Sequence, residues 1–245
     1  MRSRLIAVFC IVLALGGPAL AGQANAPDVV VYADPTMARA MDHLAADFRT
    51  RAGVPVRVFR VPSALAVALV RQGARNDVLA IEAATADLAR GRNLARAAAL
   101  TVRDPVVLAA SAQSGATDIA TAARSLGDGH LATVDPVSPD RLDGPALAQR
   151  LAFPAAQVAG QPSGPDAAAL LVGGGADLAL IERADARRPE VREVAAVPDD
   201  LAPARRYAVA VSHNAISPQL DRFLAYLTGP DAATILVADG WEVSK

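Results

Sequence analysis

Three turns in this chain set a hydroxyl or an acid beside a proline, just where an apolar run gives way to helical spacing. They are Asp34-Pro35-Thr36, Pro62-Ser63 and Ser163-Gly164-Pro165-Asp166. Such residues can do two jobs. Asp, Ser and Thr accept hydrogen bonds from the exposed amides of a helix's first turn, and proline suits its first position. At the carboxyl end of a parallel strand the same turn offers N–H groups, hydroxyls and the positive end of a helix dipole to a ligand. Capping alone accounts for any one of these turns. Their shared placement after successive strands is what raises ligand binding as the alternative. Ser217-Pro218 reads as structural only.

Other chemistries find less support. Gly173-Gly174-Gly175 follows a helix and lacks the Gly-Lys-Ser/Thr of a phosphate-cradling loop, so it reads as a tight turn. Asp135, Asp140 and Asp143 do not match the spacing of a calcium loop. His43, His130 and His213 are scattered without paired metal spacing, so no metal site is expected. There is no Gly-x-Ser-x-Gly elbow, and a hydrolase built on Ser63 would need a base that the neighbouring sequence does not offer. Catalysis and a resident cofactor are therefore not expected.

The elements that position these turns follow from hydrophobic periodicity. Val29–Tyr32 is uniformly apolar, as parallel strands tend to be. Met37, Met41, Leu44, Ala45 and Phe48 then recur at helical spacing, and Gly53 ends that helix. Val54, Val56 and Val58 alternate as a second strand, Ser63–Gln72 is a short apolar helix, and Asp77–Ile81 is a third strand. This βαβαβ order predicts a parallel sheet with right-handed crossovers. Asp104–Ser111 reads as one more strand, without a helix of equal strength before it. A second set follows: strand His130–Val134, helices near Gly144–Leu151 and Asp166–Val172, and strand Ala176–Ile181. Strands at Val191–Val197 and Tyr207–Ser212 come next, and Ser217–Thr228 and Pro230–Asp239 end the chain as helices. Two α/β units in series, closed by returning helices, imply two lobes.

With 245 residues the chain can bury two ordinary cores. It is 53% hydrophobic but only 4% aromatic, so those cores are filled with Ala, Val and Leu. The net charge of −1 and the lack of a basic block exclude a nucleic-acid footprint. Arg2 and Arg4 precede an apolar run from Leu5 to Leu15, and Ala19-Leu20-Ala21 is a small-x-small cleavage signal. A signal peptide is expected over residues 1–21, with cleavage after 26 as the alternative. Cys10, the only cysteine, lies inside it, so the mature chain has neither disulfide nor thiolate site. No later segment is apolar enough to span a membrane. An exported, soluble and monomeric protein is expected.

The segments "VYADPTMARAMDHLAADFRTRAGVPV" and "SALAVALVRQGARNDVLAIEA" resemble the amino lobe of periplasmic molybdate-binding proteins of ABC transporters. "DLALIERADA" falls where that family has a comparable strand, and "FLAYLTGPDAATILVADGW" resembles its closing pair of helices. The resemblance covers essentially the whole mature chain. It implies an α/β periplasmic-binding-protein type II fold: two lobes, 27–105 with 208–245 and 106–207, joined by two crossing hinge strands around a ligand cleft. The crossings are expected near Asp104–Ser111 and Tyr207–Ser212. The implied function is delivery of a small oxyanion, molybdate or tungstate, to the permease of an ABC importer.

The resemblance also assigns ligand contacts. Thr36 takes the place of the hydroxyl after the first strand, Ser63 that of the serine heading the second helix, and Gly164 falls near an amide donor. Other positions depart. Ser138, Asp140 and Arg141 occupy a loop where the family usually has a small residue. Glu182 stands where a tyrosine hydroxyl is common, and Asp34 where alanine is preferred. One charge about 4 Å from a dianion interacts by roughly 8 kcal/mol at an effective dielectric near 20, as much as a micromolar affinity supplies. An ionised Glu182 facing molybdate must therefore point away, be protonated, or be neutralised by Arg141, which could instead face the ligand. Otherwise the cargo is a different anion, or a polar or cationic solute drawn by Asp34 and Glu182. A ligand-free interaction protein on the same scaffold is the remaining reading.

Overall fold

The computed structural model describes residues 28–112, 114–135 and 142–243. The expected signal peptide and the loop positions Ser138, Asp140 and Arg141 lie outside the described residues.

The first lobe begins as the hydrophobic pattern requires. Strand β1 (Val29–Ala33), helix α1 (Pro35–Ala52), β2 (Val56–Arg60), α2 (Ser63–Arg71) and β3 (Val78–Glu82) form the βαβαβ unit, with β1 parallel to both β2 and β3. Helix α1 ends at Gly53, whose φ of 69° is the left-handed conformation glycine adopts without strain. Helix α3 (Ala83–Gly91) and strand β4 (Ala95–Asp104) follow. Pro105 then separates β4 from β5 (Val106–Ser111), which belongs to the other sheet. The single strand expected over Asp104–Ser111 is thus the end of one strand and the whole of another. Proline lacks the N–H a continuous ladder needs, and the chain crosses between lobes there.

The second lobe repeats the plan. Helix α4 (Ile119–Ser125) precedes β6 (Leu131–Val134), α5 (Gly144–Arg150), a 3₁₀ turn (Ala155–Gln157), β7 (Val158–Gln161), α6 (Gly164–Val172) and β8 (Leu178–Glu182). Here β6 is parallel to β7 and β8. After α7 (Arg183–Ala186) and β9 (Val191–Ala196), the chain returns as β10 (Arg205–Ser212) into the first sheet. Helices α8 (Leu220–Leu227) and α9 (Pro230–Ala238) and strand β11 (Glu242–Val243) close the first lobe.

The strand orders are β11-β4-β10-β3-β1-β2 and β7-β6-β8-β5-β9. Each third parallel strand, β3 or β8, has an antiparallel neighbour that has crossed from the other lobe, β10 or β5. Both sheets are covered on two faces. Val31, Val78 and Val209 pack with Met41, Phe48 and Phe223 on one side of the first sheet, while Leu79, Ile81 and Ala210 pack with Ala66 and Ala89 on the other. In the second sheet, Leu108 and Leu180 meet Leu147 and Ala122, and Ala109 and Ile181 meet Ala167 and Leu171. The two-lobed type II fold with its two crossings is therefore present. No described helix is long and apolar enough to cross a membrane.

Candidate functional site

The carboxyl ends of the parallel strands converge on a cavity of about 270 Å³ between the two sheets. The first lobe lines it with Asp34, Pro35, Thr36 and Pro62, and the second with Val134, Leu142, Ser163, Gly164, Pro165, Glu182 and Asp185; Arg205 completes it. Local sequence explains the placement. Asp34 is the N-cap of α1 and Ser163 that of α6, each followed by a proline in the first turn, so both helices start at the cavity rim.

Asp34 is buried and occupied by the protein itself. Its Oδ1 accepts from the Thr36 amide at 3.2 Å. Its Oδ2 accepts from the Ser63 amide at 3.2 Å and from the Ser63 hydroxyl at 2.6 Å. One carboxylate therefore caps two helices, and α2, headed by Pro62 with no side-chain cap of its own, depends on it. The Ser63 hydroxyl also accepts from the Glu82 amide at 3.1 Å, so its proton and a lone pair are both used.

The second lobe has a parallel arrangement. Asp185 Oδ2 lies against Gly164: a Cβ added there would sit 2.0 Å from that oxygen. Only a residue without a side chain lets this carboxylate settle over the start of α6. Burial, then the neighbouring Glu182 charge, pushes the Asp185 carboxyl up to about 7 despite Arg39, Arg188 and Arg205 nearby.

Between these two acids, Arg205 from the start of β10 bridges the lobes. Its Nη1 donates to Glu182 Oε1 at 2.9 Å and its Nη2 to Glu82 Oε1. Burial opposes the Arg205 charge, but Glu182, Tyr207 and Glu82 outweigh it and hold the guanidinium above its ordinary range. Behind the bridge, Asp104 is fully buried at the crossing. Its Oδ1 accepts from the Ala184 amide at 3.0 Å, while Oδ2 has no partner among the described residues. Burial, then Glu182, pushes this carboxyl well above the usual carboxylate range. The buried Tyr207 hydroxyl approaches Thr36 without a hydrogen bond of ordinary geometry.

Of the residues singled out from sequence, Thr36, Gly164 and Glu182 line the cavity together. Ser63 stands behind Asp34 with its donors turned onto that carboxylate. Arg141 lies outside the described residues. The partner of Glu182 is Arg205, which sequence reading did not single out, nor did it find Asp185 or Glu82. One signal was present: strands β3 and β8 both end in Ile-Glu, Ile81-Glu82 and Ile181-Glu182, just before a helix. Two acids at matching strand ends call for a cation between the lobes. Among the described residues, no three His, Cys, Asp or Glu side chains are arranged to hold a metal ion.

Several solved structures share this architecture. The Azotobacter vinelandii periplasmic molybdate-binding protein superimposes with a TM-score of 0.69 at 18% identity, over 89% of this chain and all of the other. The tungstate-binding protein TupA of Desulfovibrio alaskensis gives 0.59 at 13% identity, over 89% of this chain and 99% of the other. The Atu4243-GABA receptor gives 0.57 at 14% identity, over 88% and 82%. The likeness to molybdate-binding proteins read from sequence thus holds for the fold. No curated protein matches the chain by sequence. A family model described as bacterial extracellular solute-binding protein matches residues 29–242. That span includes both lobes and both crossings, and the chain belongs to this family of solute-binding proteins.

Proposed function

We propose that the protein is the periplasmic receptor of an ABC importer, and that the solute it carries between its lobes presents a cationic group rather than an oxyanion. The family supports the first half of this reading. One observation carries the second half: carboxylates of Asp34, Glu182 and Asp185 line the cavity, and the one guanidinium among its described lining residues is already shared by Glu82 and Glu182. Even with Asp185 protonated, Asp34, Glu182 and Arg205 leave one net negative charge in the lining, and a dianion about 4 Å from it would lose roughly 8 kcal/mol at an effective dielectric near 20, offsetting a micromolar affinity. An ammonium in the same place gains in proportion. The cavity volume suits a small metabolite. Thr36 and the start of α6 at Gly164 supply neutral polar contacts for the rest of such a solute.

Molybdate or tungstate is the competing cargo, favoured by the fold shared with the Azotobacter and Desulfovibrio proteins. The same fold also serves a GABA receptor, and 4-aminobutyrate carries an ammonium as well as a carboxylate, so the scaffold does not dictate an inorganic oxyanion. A thermal-shift panel on the mature protein separates the two. It should contain molybdate, tungstate, phosphate, 4-aminobutyrate, lysine, putrescine and choline. Stabilisation by one or more of the amines, and not by the oxyanions, is expected. A response to molybdate or tungstate alone, or no response to any of the amines, would overturn the cationic assignment.

A further inference from the structure

The geometry points to Asp34 and Asp185 as built-in anions, one in each lobe, that occupy the places an oxyanion ligand would take and so set the specificity of the cleft. This deepens the proposed function and rests on it for the location of the ligand.

The donors around Asp34 are a receptor set for an anion. Two amides at the starts of two helices and one buried hydroxyl point at the two oxygens of a single carboxylate, at 3.2, 3.2 and 2.6 Å. Among the described residues, no basic side chain takes part. Such a set, made of N–H and O–H groups and helix dipoles, holds a small anion without cations. Here the anion is covalently attached, and Asp34 is nearly inaccessible to solvent at 4% exposure. A free anion could reach the Thr36 and Ser63 donors only by displacing it.

In the opposite lobe Asp185 fills the corresponding space at a helix start. Its Oδ2 rests over Gly164, the first residue of α6, in space a β-carbon would fill. Both acids line the one cavity, so an incoming oxyanion meets carboxyl groups where it needs donors. Removing Asp34 therefore leaves an anion site behind, with the Thr36 and Ser63 amides and the Ser63 hydroxyl unsatisfied, and removing the acid at Asp185 lessens the repulsion from the opposite lobe.

The test measures molybdate and tungstate binding by thermal shift and by calorimetry for the wild type, Asp34→Ala, Asp34→Asn, Asp185→Asn and the double variant Asp34→Ala/Asp185→Asn. The wild type should not respond. Asp34→Ala should gain at least about 100-fold in molybdate affinity, because a charge is lost and three donors are freed. The double variant should bind more tightly still. Asp34→Asn retains a capping oxygen and guards against loss of folding in the alanine variant; it should show a smaller gain. Folded variants that bind no oxyanion better than the wild type would overturn the inference, as would wild-type binding equal to that of Asp34→Ala. The wild-type response to amines tests the cationic cargo separately, so failure of one is not failure of the other.

Discussion

Replacing Asp185 by asparagine should change how stability depends on pH, and the size of the effect follows from the site. Folding raises the Asp185 carboxyl from its ordinary 3.8 to about 7, by burial first and by Glu182 second, against Arg39, Arg188 and Arg205. Between those values the native protein holds a proton that the unfolded chain releases. Stability due to this group is thus fully present below pH 4 and falls by about 1.4 kcal/mol per pH unit until pH passes 7. The accumulated loss is on the order of 4 kcal/mol at most, and partial exposure reduces it to roughly 2–4 kcal/mol. The amide of the Asp185→Asn variant keeps the shape without the charge. The variant should therefore match the wild type near pH 4 and exceed it increasingly up to pH 7.5, after which the gap should stay constant. Urea unfolding of both proteins at pH 4.5, 5.5, 6.5, 7.5 and 8.5 measures the gap; the difference removes acids that Asp185 does not touch, while Asp104, which Asp185 also helps to raise, widens the gap in the same direction. A gap independent of pH, or one that narrows as pH rises, would refute the placement of Asp185 beside Glu182 over Gly164.

Other outcomes follow from the same geometry. Arg205→Met leaves Glu82 and Glu182 without their shared partner and should destabilise the protein by about 3–5 kcal/mol in urea unfolding, more at pH 8 than at pH 5. Asp34→Ala removes the caps of α1 and α2 together and should cost about 2 kcal/mol, whereas Asp34→Asn should cost about half as much. A cationic solute that needs Asp185 ionised should bind about tenfold more tightly at pH 8 than at pH 6 and release a proton from it, measurable by calorimetry in buffers of different ionisation enthalpy. Gly164→Ala should displace the Asp185 side chain rather than the backbone, leaving stability within about 1 kcal/mol at pH 5 and reducing its decline toward pH 8.

How much of this was legible in the sequence depended on whether the signal was local. Strands β1, β3, β6 and β8 are mostly apolar runs, and α1 carries a wide apolar face ended by Gly53, so these elements stood out. Helix α3 and strand β4 did not. The first is a short Ala-rich segment with a narrow buried face, and the second is largely exposed between Arg96 and Ala99. The break at Pro105 was hidden by apolar residues on its C-terminal side, and only pairing with different sheets separates β4 from β5.

The site divides in the same way. Turn residues announced Thr36 and Gly164 because their chemistry lies in the turns themselves. Asp34 and Glu182 stood out as acids in unexpected places. Arg205 did not, because its meaning depends on Glu82 and Glu182, which lie 123 and 23 residues away and meet only when two lobes close on one floor. The direction of the Ser63 hydroxyl was equally invisible. A serine heading a helix looks the same in sequence whether it faces a ligand or, as here, the carboxylate of Asp34.

The most direct test of the account is a calorimetric titration of the mature wild-type protein at pH 8, with sodium molybdate in one experiment and 4-aminobutyrate, lysine or putrescine in the others. A cleft governed by fixed carboxylates should give no binding heat with molybdate up to about 1 mM and saturable binding with at least one of the amines. Micromolar binding of molybdate to the unaltered protein would contradict it.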